Sequence, residues 1–177
     1  EHHFVEDGYL PSWIPVAGAM SSVTKHVRFG TDICLMPFNH PVRLAEDLAV
    51  LDNLSGGRIE VGLGMGYAPH EFRGFGFPVS RRVSLMEEGI EAIHHLLYND
   101  EPLTMKTDWF TLKEATLNFR PYSERLDLNF ASISSSLYTA RPAYCSFFAR
   151  RYAASWRNFR SLSRCFATVL SNPAVAE

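Results

Sequence analysis

VRFGTDICLMPFNHPVRLAEDLAVLDNLSGGRIEVGLGMG, residues 27–66, is the stretch that decides the fold. Its first ten residues, 27–36, form a β-branched and apolar run closed by Pro37, which predicts a buried strand. Pro41 then opens a helix, because a first-turn N–H has no intrahelical partner to lose. Leu44, Leu48 and Leu51 recur at i, i+4 and i+7 and give that helix one apolar stripe. Ser55, Gly56 and Gly57 end it, with glycine supplying a left-handed C-cap. Residues 58–64 (RIEVGLG) follow at once as a second strand. Ile59, Val61 and Leu63 lie on one face and Glu60, Gly62 and Gly64 on the other, so one face packs on helices and the other is polar or bare.

Downstream, the glycine-rich stretch 64–79 predicts a loop. A helix starts between Ser80 and Ser84, where Ser84-Leu85-Met86-Glu87 has the capping-box pattern and Met86, Ile90, Ile93 and Leu97 share a face. Strand, helix, strand, helix with short links is the rhythm of a parallel sheet. Right-handed crossovers leave two arrangements open, a barrel or a doubly wound sheet. Residues 103–119 read as two short extended pieces around Lys106–Trp109, a hairpin inserted before a further strand near 126–132. Beyond Arg141 the alternation lapses. A helix over 144–168 is the expectation there, with Phe147, Phe148, Tyr152, Trp156 and Phe159 mixed among five arginines between 150 and 164. The chain is thus expected to divide into a domain over 1–140 and an Arg/Ser-rich tail over 141–177, and it carries no internal repeat.

Composition narrows the function classes. The 177 residues are 46% hydrophobic with a formal net charge of −2, one globular domain's worth of material with no field to attract phosphate backbones. No Lys/Arg cluster is interleaved with aromatics, so nucleic acid is not an expected partner. No apolar run approaches the ~20 residues that span a bilayer, and EHHFVEDGYL lacks the basic-then-apolar layout of a signal peptide, which predicts no membrane and a cytoplasmic location. Cys34, Cys145 and Cys165 are odd in number and far apart, which suits buried or incidental thiols in a reducing compartment.

Three features could carry chemistry. Adjacent His2 and His3, followed by a loop rich in turn residues (Asp7, Gly8, Pro11), point to opposite faces if extended, so at most one faces a given pocket. A pair at i, i+1 is also poor ligand geometry for a metal, and an ordinary polar strand end explains it equally well. Gly62-Leu63-Gly64-Met65-Gly66 ends a strand, where missing side chains let a ligand lie on the backbone or simply permit a tight turn. It lacks the G-x-G-x-x-G spacing, and YAPHEFRGFG after it reads as a loop, which disfavours a dinucleotide-phosphate site. Asp32 falls within a buried strand and must then be satisfied by backbone donors, a cation or a ligand. Glu60 poses the same question, and for both an internal tie between strands and loops outweighs catalysis. No Ser/His/Asp order, Cys/His pair or P-loop emerges.

Taken in order, EHHF (1–4), FGTDICLMPFNHPVRLAEDLAVLDNLSGGRIEVGLGMGY (29–67) and HEFRGFGFPVSRRVSLMEEGIE (70–91) resemble the luciferase-like monooxygenase family. The most specific piece is HPVRLAEDLAVLDNLSGGR, and the resemblance covers about residues 1–121. It implies a (β/α)₈ barrel that binds FMN, or in some branches the deazaflavin F420, at its C-terminal mouth. FMN-using members take up the cofactor already reduced by a partner reductase and activate O₂ to oxidise a small organic substrate. The first histidine of EHHF is the catalytic nominee, here His2, a group suited to moving a proton at neutral pH. The family often has a non-proline cis peptide after Gly-Thr, here Asp32-Ile33, against which the flavin rests, so Thr31, Asp32 and Ile33 are nominated as cofactor-binding. Gly64 and Met65 fall at flavin-contacting positions. Luciferase has arginine where this chain has Met65, and methionine cannot replace a phosphate ligand. LNFASISSSLYTARPA (128–143) resembles the family's fifth strand and Ser-rich turn, which nominates Ser134 for the flavin phosphate.

A complete barrel takes ~250 residues. This chain corresponds to a partial TIM-type barrel from the end of the second strand to the fifth, followed by an irregular or helical tail. Three alternatives follow: a non-catalytic half-barrel or partner subunit that forms a homo- or hetero-dimer through open edges, an F420-dependent oxidoreductase of the same fold, and a metal-dependent hydrolase using His2, His3 and Asp32.

Overall fold

The computed structural model describes residues 1–131 of the chain. Strand β1 (Phe29–Leu35), helix α2 (Pro41–Ser55) and strand β2 (Ile59–Gly64) follow helix α1 (Trp13–Val23). Helices α3 (Pro69–Phe75) and α4 (Arg82–Tyr98), strands β3 (Leu103–Lys106) and β4 (Thr111–Ala115), and strand β5 (Asp127–Ala131) complete the described residues. Strands β1, β2 and β5 form a parallel sheet in that order, while β3 and β4 form a separate antiparallel hairpin. Leu35 lies beside Gly64 and Gly64 beside Ala131, so the three parallel strands end together at one rim. The fold is α/β, part of a TIM-type barrel.

The sequence signals act as expected around the sheet. Leu44, Leu48 and Leu51 are buried, as are Ile59, Val61 and Leu63 of β2 and Met86, Ile90, Ile93 and Leu97 of α4, and α2 packs on both of these elements. Each such leucine contributes about 1.5–3 kcal/mol of burial. Gly56 caps α2 in the left-handed conformation (φ 64°, ψ 43°), and the Gly57 N–H donates to the Asp52 carbonyl at 3.0 Å. The hairpin turns where Thr107 Oγ1 accepts the N–H groups of Trp109 and Phe110.

The other face of β2 is bare because β1 bulges over it. Between Thr31 and Cys34 the register slips, three steps of β1 opposing two of β2, and the Asp32-Ile33 peptide is cis. A Cβ on Gly62 would lie 2.7 Å from the Thr31 carbonyl oxygen, and one on Gly64 would overlap the Ile33 side chain. The two glycines are the seat of that bulge.

Several expectations need correction. The strand expected over 27–36 is shorter, since Met36–Phe38 turns into a 3-10 helix at Pro37. The loop expected over 64–79 contains α3, which starts at Pro69 and ends on Gly76 in the left-handed conformation (φ 77°, ψ 19°). The capping box does not form. A 3-10 turn at Val79–Arg81 runs straight into α4, so Ser84 already lies in the first turn and its hydroxyl donates to the Arg81 carbonyl. Helix α1 had no sequence expectation; Trp13, Ala17 and Ser21 are its buried stripe, and Pro15 sits in the tolerant first turn. The domain boundary at 140/141, the helix over 144–168, Ser134, Cys145 and Cys165 all lie outside the described residues. Among the described residues no helix is long and apolar enough to cross a membrane.

Candidate active site

Residues 1–4 form no strand; they cross the rim where the parallel strands end. The Leu35 N–H, at the end of β1, donates to Glu1 Oε2 at 3.0 Å, which pins the segment there. From that anchor the two histidines diverge, as an i, i+1 pair should. His3 Nε2 lies 2.9 Å from Glu1 Oε1, and its ring sits edge-on to Phe38 and Phe75 at 5.9 and 4.7 Å between centroids. His2 Nδ1 lies 3.1 Å from Glu71 Oε1, and its ring is flanked by Tyr9 (5.7 Å) and Tyr67 (6.4 Å). The His3 side chain is 12% exposed and that of His2 40%, so His2 alone of the pair is open to a ligand.

Glu71 is a site residue that sequence reasoning missed. It is 1% exposed, on α3, and its Oε1 accepts the His3 backbone N–H at 2.9 Å as well as facing His2. A carboxyl group buried that deeply requires such donors. Cys34, fully buried behind Glu1, has its thiol pushed up to about 12 by desolvation first and by the Glu1 charge second. A thiol that stays protonated is no nucleophile. The bland expectation holds for Cys34.

The cofactor nominees divide. Thr31 and Ile33 are half-buried in the bulge next to the rim, and Met65 is half-buried just beyond β2. Gly64 is buried, with the Ile33 side chain filling the space its own would need. Asp32 corrects an expectation. Its side chain is exposed, because β1 alternates between half-buried and exposed positions from Phe29 to Ile33 and Asp32 shares the exposed phase with Gly30. Glu60 ties the strands as expected, its Oε1 2.6 Å from Arg28 Nε. His2, His3 and Asp32 do not converge as metal ligands, and the described residues contain no group of three or more His, Cys, Asp or Glu that could hold a metal.

Residues 1–144 match the sequence profile of the luciferase-like monooxygenases. The chain belongs to that family. Among curated relatives, it is 35% identical over 121 residues to 4-hydroxyprotoasukamycin monooxygenase of Streptomyces nodosus subsp. asukaensis. It is 37% identical over 126 residues to limonene 1,2-monooxygenase of Rhodococcus erythropolis. These alignments cover 68% and 70% of this chain, and 33% and 32% of the relatives, so the chain spans about a third of their length. Among solved structures, the monooxygenase RslO1 from Streptomyces bottropensis superposes with a TM-score of 0.74 at 30% identity, over 85% of this chain and 44% of that one. An F420-dependent secondary alcohol dehydrogenase, solved with an F420-acetone adduct, gives 0.60 at 31% identity over 67% of this chain and 37% of its own. The oxygenating constituent of 3,6-diketocamphane monooxygenase from Pseudomonas putida, solved with FMN, shares the fold at 18% identity (TM-score 0.67, 79% and 43% covered).

Proposed function

We propose that this chain carries part of the active site of a flavin-dependent monooxygenase, with His2 as the group that moves a proton beside the cofactor. The observation that carries the reading is His2 itself: an open imidazole, braced by a buried Glu71, at the rim where three parallel strands end. Ligands of barrel enzymes bind at that rim. The residues present fit the ring of a flavin, since Ile33 and Met65 offer half-buried apolar surface beside the rim. Neither Ile33 nor Met65 can hold a phosphate, and for that role we propose Ser134. Bound reduced FMN, supplied by a reductase, would give the two electrons that place one oxygen atom of O₂ in a small organic substrate and release the other as water. Imidazole suits the proton traffic because it both accepts and donates near neutrality.

A second reading is F420-dependent oxidoreduction, favoured by the F420-dependent alcohol dehydrogenase at 31% identity. Association into a dimer is a further proposal, resting on β1, which is paired on one side only among the described residues. Titration of the chain with reduced FMN and with F420, followed by flavin absorbance, separates the two cofactors. Turnover is then measured as O₂ consumption over a panel of small alkenes, ketones and aldehydes. In His2→Ala, FMN binding should persist and turnover fall roughly 10²- to 10⁴-fold, the range of general acid–base contributions. Absence of saturable FMN binding to the parent chain refutes the proposal for this chain.

A further inference from the structure

We infer that Glu71 is the positioning residue of the site: it holds His2 in the Nδ1–H tautomer and so presents a bare Nε2 to the open side. The inference rests on the reading of His2 as the proton-moving group. A histidine ring has two nitrogens, and which one carries the hydrogen is set by the hydrogen bond the other group demands. Glu71 Oε1 already accepts the His3 backbone N–H at 2.9 Å, so it is an acceptor, and the hydrogen on its 3.1 Å contact with His2 sits on Nδ1. Among the described residues none hydrogen-bonds Nε2, and the ring is 40% exposed between Tyr9 and Tyr67. Nε2 is therefore the atom that faces an incoming ligand, with its lone pair free.

The geometry favours a defined cycle. When Nε2 takes a proton from a donor, the ring becomes an imidazolium whose charge lies against Glu71; when Nε2 returns it, the Nδ1–H tautomer is restored without a ring flip. Glu71 also joins both histidines through one oxygen, His2 by its ring and His3 by its backbone. That double attachment fixes the backbone at residues 2 and 3 as well as the ring, which a carboxylate reaching the ring alone would not do. Orienting groups of this kind, beside metal-bound histidines or in Ser-His-Asp triads, are worth roughly 10- to 10⁴-fold in activity or affinity.

The test is long-range ¹H–¹⁵N correlation of the full chain labelled with ¹⁵N-histidine, the His2 signals being those lost in His2→Gln. The parent chain should show a protonated Nδ1 and an unprotonated Nε2 at alkaline pH. Glu71→Leu, which removes the acceptor, should move the ring toward the Nε2–H form that free histidine prefers. Glu71→Asp, which keeps an acceptor, should retain more of the Nδ1–H form than Glu71→Leu. An Nε2–H tautomer in the parent chain overturns the inference, and that result does not depend on any variant folding. An unchanged tautomer in a folded Glu71→Leu protein overturns it as well. If the tautomers behave as stated yet neither Glu71→Leu nor His2→Gln lowers turnover, the positioning geometry stands and the reading of His2 falls.

Discussion

Replacing Gly64 with alanine should cost stability, and removing Ile33 should reverse the sign of that cost. An alanine Cβ at Gly64 overlaps Ile33 Cδ1 and lies 3.0 Å from Cγ1, inside ordinary van der Waals contact. Overpacking of this sort costs about 1–3 kcal/mol. Alanine also returns about 0.5–1 kcal/mol because glycine loses more backbone freedom on folding. The net expectation is a loss of about 0–2.5 kcal/mol, or up to several degrees in Tm at roughly 2–4 °C per kcal/mol for a chain of this size. Ile33→Ala alone should cost about 2 kcal/mol, the low end for a buried isoleucine, because Ile33 is only half-buried. In that background no side chain remains to be struck, so Gly64→Ala should stabilise by about 0.5–1 kcal/mol. The double-mutant cycle therefore closes with a coupling of about 1–3 kcal/mol. Urea denaturation followed by far-ultraviolet circular dichroism on the four proteins measures it. Equal costs for Gly64→Ala in both backgrounds would show that Ile33 does not occupy the bare face of β2.

Cys34 gives a pH signature. Its thiol is raised from 9.0 to about 12 in the folded chain, so above pH 9 the unfolded chain sheds a proton that the folded one keeps, and stability falls with rising pH. Between pH 9 and 11 the parent should lose up to about 1.4 kcal/mol per unit more than Cys34→Ala, read as the difference between two denaturation series; parallel series would contradict the burial. Asp52, 1% exposed, accepts the Ser123 backbone N–H at 2.7 Å and the Ser123 hydroxyl at 3.2 Å. Asp52→Ala should destabilise by about 1–3 kcal/mol, the cost of stranding a buried partner, and a neutral effect in chemical denaturation would mean that this link between α2 and the approach to β5 carries no load.

How much of this was legible depended on the range of the forces involved. The β1-α2-β2 unit is spelled locally: Pro41 starts a helix, Gly56 ends it, and the leucine stripe between them needs no distant partner. Helix α3 was hidden because seven residues give fewer than two full turns, too short for periodicity to separate it from a glycine-rich loop. Helix α1 carries Pro15, Gly18 and adjacent serines, weak helix formers whose stability comes from packing on α2. Asp32 was misplaced because the apolar run 27–36 was read as a strand buried throughout, whereas its first five strand residues alternate between half-buried and exposed. In the site, His2 was nominated by resemblance and lies at the strand rim, and the divergence of His2 from His3 followed from backbone geometry alone. Glu71 was invisible because its partners are 68 and 69 residues away, and nothing in EFRGF marks a buried carboxylate.

The central claim, that a flavin binds where the parallel strands end, is tested most directly by the ¹H–¹⁵N spectrum of the chain during titration with FMN. Shifts confined to His2, residues 31–35 and residues 64–67 are the predicted result. Shifts centred on the opposite rim, residues 24–29 and 55–59, or no shifts at saturating FMN, would contradict it.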